Sequence, residues 1–110
     1  MKEIAIKLFE KTKEIYGLSE HFDTYPILEF EDELHWLSGE FRDDYNAIIL
    51  YPLSTINEEE LARTILHEYC HYLQCPRVFE EYKEKYDYYS NPFEIEAYKF
   101  ENNYKLIIND

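Results

Sequence analysis

The stretch "NEEELARTILHEYCHYLQ", residues 57–74, decides how the rest of the chain is read. Asn57 followed by Glu60 has the pattern of a helix N-cap with its capping-box partner, so a helix is predicted over 58–74, ended by Pro76. At roughly 100° per residue, Leu61, Ala62, Ile65, Leu66, Tyr69, Tyr72 and Leu73 fill one arc. His67 and His71 sit about 40° apart on the other side, with Glu68 about 60° beyond His71. One side is a core face; the other presents two imidazoles and a carboxylate.

Imidazoles at i and i+4 on one helix face can grip a single tetrahedral zinc ion, and a glutamate beside the first can take a proton from water on that ion. The bland alternative is an accidental surface pair on a charged helix. It explains poorly why two of only four histidines stand at this spacing, opposite an apolar arc. Two histidines and a water leave a catalytic zinc one protein ligand short. His21 and His35 lie far upstream and no histidine follows His71, so a carboxylate must complete the set. The segment "NPFEIEAYKFE", 91–101, offers it on a helix begun by an Asn91 cap with Pro92 at its first position and running to about 108. Glu94 stands where a glutamate often only closes a capping box. Glu96 borders the apolar arc of Phe93, Ala97, Phe100, Tyr104 and Ile107 from the other side. Helical geometry alone does not separate them.

Upstream, Ile4, Leu8, Phe9 and Ile15 mark one face of a helix from Lys2 to Tyr16, which Gly17 can terminate. "YPILEF" (25–30) and "LHWLSGEF" (34–41) read as two strands around an acidic turn at Asp32-Glu33, and "AIILY" (47–51) as a third strand closed by Pro52. The charged, tyrosine-rich stretch 77–90 reads as a short helix and a loop. The expected fold is α+β: an N-terminal helix, a small, mostly antiparallel three-stranded sheet, then the histidine helix and a C-terminal helix, in one domain over 1–110.

Together "HEYCH" (67–71) and "EIEAY" (94–98) resemble the motifs of the gluzincin zinc metallopeptidases, in which the third ligand is a glutamate in a pattern close to E-x-x-A-D on a later helix. The layout is similar to the minimal soluble gluzincins, small single-domain relatives of the catalytic domains of integral-membrane peptidases. The resemblance implies a zincin-like fold with His67, His71 and Glu94 on the metal, Glu68 as general base, and Ala97 as the small residue that lets the two helices approach. It also implies that "AIILY" forms the upper rim of a cleft where an extended substrate adds as a strand. One departure stands out: the family's aspartate, which commonly orients a histidine ligand, is Tyr98 here.

The expected activity is therefore zinc-dependent cleavage of peptides or unfolded protein segments, with one zinc per chain. An oxyanion donor is also needed, and Tyr86, Tyr88 and Tyr89 lie between the two motifs. A latent form is a variant of this, with a carboxylate of Asp110 or of a neighbouring copy replacing the catalytic water; homo-oligomers stay open. The rival is a non-enzymatic, acidic zinc-binding module that captures peptides, with His35 or Cys70 as a fourth ligand. Twenty-four acidic against 11 basic residues give a formal charge of -13, which repels nucleic acid and anionic membranes. No stretch approaches the ~20 apolar residues of a membrane span, and no signal peptide is evident, so a cytoplasmic protein is expected. Cys70 and Cys75, five apart on or beside one helix, are expected to stay as thiols.

Overall fold

The first helix, α1 (Lys2–Tyr16), turns Ala5, Leu8, Phe9 and Thr12 inward, an i, i+3, i+4, i+7 stripe. Ile4 and Ile15, expected on that stripe, are exposed instead. Gly17 ends the helix with φ at +73°, a left-handed value that suits glycine, and its N–H closes on the Lys13 carbonyl. The computed structural model describes residues 1–108. Asp110, and with it the latency expectation, lies outside them.

Three four-residue strands follow: β1 (Ile27–Phe30), β2 (Gly39–Arg42) and β3 (Ala47–Leu50). The expected hairpin between the first two is not formed. Their order is β1-β3-β2, with β1 parallel and β2 antiparallel to β3, so the sheet is mixed rather than mostly antiparallel. The reason is composition. "AIIL" is apolar throughout and buried at every position, so it takes the centre, where both neighbours and both faces cover it. β1, with alternating exposure, and β2, with the charged Glu40 and Arg42, take the edges. The first part of the predicted second strand, 34–38, is instead part of a connection that crosses from one side of β3 to the other. β2 and β3 do form a hairpin, turned by Asn46 at φ +54°.

Helix α2 (Glu58–Leu73) is capped as predicted: the Asn57 side chain accepts from Glu60 N at 2.8 Å. Glu60 in turn accepts from Ile56 N at 3.3 Å and from the Ser38 hydroxyl at 2.9 Å, fastening the loop before β2 to the start of the helix. Pro76 ends α2 and also opens α3 (Pro76–Lys85), where its missing N–H costs nothing. The predicted C-terminal helix is broken. α4 (Pro92–Phe100), whose Asn91 cap accepts from Phe93 N at 2.9 Å, passes into a 3-10 turn at Glu101–Asn103 and a last helical turn, α5 (Lys105–Ile108). The core lies between α1, β3 and the apolar side of α2, centred on Ile48, Leu50, Ile65, Leu66, Tyr69 and Tyr72. Ala97 is fully buried where α4 packs on the other side of α2.

Candidate metal centre

Because α4 and the 3-10 turn lie across it, the histidine side of α2 is not a solvent face. His67, Glu68, His71 and Glu94 are all buried. Glu94 Oε1 stands 3.0 Å from His67 Nε2 and 3.1 Å from His71 Nε2. One donor atom from each of the three residues lies within 4.8 Å of the others, a buried group able to hold a metal ion. Ligand atoms at about 2.0–2.1 Å around a tetrahedral ion are separated by roughly 3.3 Å, so little movement is needed to admit one.

The hydrogen bonds behind the histidines fit that role. Gln74 Nε2 donates to Glu96 Oε1 at 2.6 Å and to the Phe93 carbonyl at 3.0 Å, which fixes the amide with its oxygen facing the other way. That oxygen accepts from His71 Nδ1 at 2.7 Å. With Nδ1 turned to Gln74, Nε2 is the His71 atom that faces Glu94, the atom a metal ion would take. Glu96, the rival ligand, is thus engaged in orienting Gln74.

His67 is oriented by a residue that sequence reasoning missed. Its Nδ1 donates to Glu101 Oε2 at 2.6 Å, and Tyr98 lies edge-on to its ring, centroids 4.7 Å apart. Glu101 stands seven residues after Glu94, two turns along the same helical face, and so reaches His67 from the end of α4. Its i, i+7 spacing from Glu94 is the local signal that marks it, a weak one in a chain with 24 acidic residues.

Burial by itself lowers the His67 pKa, but hydrogen bonds to Glu101 and Glu94, and the charge of Glu68, outweigh it and hold the ring up at about 10. Burial raises Glu94, yet the two imidazoles outweigh it and keep the carboxyl at about 2. In the metal-free cluster, therefore, a proton supplies the positive charge. Glu68 is pushed above the usual carboxylate range, first by burial and also by Glu94, against the lowering effect of His71 and His67. A raised carboxylate is a better proton acceptor.

Two adjoining cavities of about 220 and 360 Å³ open onto the cluster, and Glu68, Trp36 and Tyr88 line both. Their upper wall is β2, not the "AIILY" strand, which is the buried centre of the sheet. Gly39 lets β2 lie tight against α2: a Cβ there would stand 2.8 Å from the Thr64 methyl and 3.0 Å from the Ile49 carbonyl. Of the tyrosines considered as donors, Tyr88 reaches the cavities, whereas Tyr89 is largely exposed and Tyr86 packs on Tyr82. His35 lies flat on Tyr51 and Cys70 bonds with Gln74, so neither joins the three metal-ligand candidates. Both cysteines are free thiols, as expected. Among the described residues no helix is long and apolar enough to cross a membrane. Compared with known proteins, the chain matches no family model, no curated protein and no solved structure.

Proposed function

We propose that this chain is a zinc-dependent metalloendopeptidase of gluzincin type, with His67, His71 and Glu94 on the metal and Glu68 as general base. The observation that carries it is the convergence of these three donors beside Glu68 at the foot of a cleft walled by a free strand edge. Two imidazoles and one carboxylate suit zinc, and three protein donors leave a position for water.

Zinc bound there supplies a Lewis acid that acidifies water and polarises a carbonyl. The chain's own residues do the rest. An extended peptide pairs with the outer edge of β2, which sets its backbone across the cluster. Glu68 accepts the proton of the attacking water and delivers it to the leaving amine. The Tyr88 hydroxyl lies 3.1 Å from that of Tyr98. Burial first, then Tyr98 and Glu94, keep it protonated, so it is a donor for the developing oxyanion. Glu101 and Gln74 hold the two imidazoles in the tautomers that metal binding requires.

The test is Glu68→Gln beside wild type. Native mass spectrometry should find one zinc per chain in both, while hydrolysis of an unfolded protein falls by roughly 10²–10⁴-fold in the variant. Equal hydrolysis in the two would remove Glu68 from the mechanism. Zinc binding without any hydrolysis in either would leave the acidic zinc-binding module as the better account.

A further inference from the structure

The connection that crosses β3, residues 31–38, is held in place along its length. Ser54 Oγ donates to the His35 carbonyl at 2.5 Å and accepts from His35 N at 3.0 Å. Leu37 N donates to His35 Nδ1 at 3.0 Å. The His35 ring stacks on the buried Tyr51, centroids 4.1 Å apart and planes within 6°. From this anchored segment the Trp36 indole projects into solvent, 84% exposed, while lining both cavities beside His67 and Glu68. Leu34, two residues earlier, is 80% exposed. A fully presented indole on a pre-ordered loop has little ordering entropy to lose when something covers it, which is how aromatic anchors at binding surfaces behave.

The surroundings indicate what would cover it. Glu31, Asp32 and Glu33 precede Trp36 in the same segment and are exposed. Burial above all, then the field of Glu40, Glu31 and Glu33, pushes the Tyr51 phenol beneath His35 up to about 12. A chain of charge -13 adds to that field.

We propose, building on the peptidase assignment above, that Trp36 selects the substrate. A peptide lying along β2 places a large apolar side chain, aromatic or long aliphatic, between the Trp36 indole and Tyr88. A neighbouring lysine or arginine is favoured over an acidic residue by the net charge of -13. The preferred substrate is thus a segment with a bulky apolar residue beside a basic one, and Trp36 is a specificity-determining residue outside the metal cluster.

Trp36 is the only tryptophan, so its emission reports on this wall alone. Zinc-loaded Glu68→Gln protein would be titrated with four matched peptides carrying Lys-Phe, Lys-Leu, Lys-Ala or Glu-Phe at one position, by calorimetry and tryptophan emission. Lys-Phe and Lys-Leu should shift the emission to the blue and bind roughly tenfold tighter than Lys-Ala, with Glu-Phe weaker than Lys-Phe. In Trp36→Ala, added to Glu68→Gln, the preference for Phe over Ala should collapse, while Trp36→Phe retains most of it. Apolar peptides that bind without moving the emission, or a preference that survives Trp36→Ala, would overturn the selecting wall and leave the peptidase assignment standing. An emission change on diluting the protein alone would mean that a second copy covers Trp36, and would also overturn it. Zinc-loaded wild type that cuts none of these peptides nor an unfolded protein would sink the peptidase assignment itself.

Discussion

The two sides of α2 are both buried, and for opposite reasons. One packs Leu61, Ala62, Ile65 and Leu66 into the core, where contact is non-directional and each buried apolar group stabilises the fold. The other packs His67, Glu68 and His71 beneath α4 and the 3-10 turn, where burial of polar groups costs free energy unless each is given a directed partner. The two imidazoles have theirs: Glu101 and Glu94 on His67, Gln74 on His71. The apolar side tolerates changes of shape within its volume. The polar side depends on atom positions, and its two Nε2 atoms converge on one carboxylate oxygen. Burial on one side contributes stability; on the other it holds ligands ready.

The widest separation of the two sides should come from Glu94→Ala. It removes one of the three donors, so we expect zinc stoichiometry by native mass spectrometry to fall from one toward none and hydrolysis to vanish with it. Retention of tight zinc would mean that another carboxylate serves. On the opposite side, Ile65→Ala removes a fully buried side chain and should cost about 2–5 kcal/mol in denaturant unfolding, with zinc affinity of the folded fraction unchanged. A large loss of zinc affinity there would show that the two sides are coupled through the helix.

A smaller effect is expected one layer out from the metal. Glu101→Gln keeps the size of the side chain but takes the charge from the His67 hydrogen bond, so zinc affinity measured against a chelator should drop on the order of 10–100-fold. Glu96→Gln, which touches Gln74 and Cys70 but none of the three metal-ligand candidates, should do less. If Glu101→Gln changed thermal stability but not zinc affinity, its role would be structural only.

The gentlest probe is pH. His67 has a folded pKa raised from 6.5 to about 10, so its contribution to metal-free stability is complete below 6.5 and is lost as pH rises through about 10. Glu94, lowered from 4.5 to about 2, contributes above 4.5 and loses its contribution as pH falls through about 2. Zinc must displace the His67 proton, so apparent affinity should rise about tenfold per pH unit between neutrality and pH 9. Over the same range the metal-free protein should lose stability. Calorimetry in buffers of different ionisation enthalpy would count the released proton. No proton release at pH 7 would mean that His67 is already neutral there.

Much of α2 was legible because everything about it is local. The cap at Asn57, the stop at Pro76, the apolar arc and the histidine pair all follow from residues within one or two turns, where the period of 3.6 fixes who shares a face. That short-range logic failed for the strands. With four residues each, they carry too little pattern to choose partners, and the choice was made by which strand could be buried on both faces. "AIIL" took the centre, so β2 rather than β3 became the wall of the cleft.

The third metal-ligand candidate shows where the boundary lies. Sequence spacing narrowed it to Glu94 or Glu96, residues two apart on one helix. The packing of α4 on α2 turned Glu94 to the histidines and left Glu96 to Gln74. Glu101 shares the Glu94 face by an i, i+7 spacing, but only the packing of α4 on α2 shows that it meets His67. Trp36 lay beyond local reasoning, placed by a loop stretched over the end of the sheet. From the sequence alone came the helix that carries the histidines and the chemistry those side chains can perform, because covalent spacing dictates both. The tertiary structure alone decided which carboxylates meet the histidines and what surface stands over them. Those are contacts between distant segments, set by the sum of packing across the whole core rather than by any one stretch of chain.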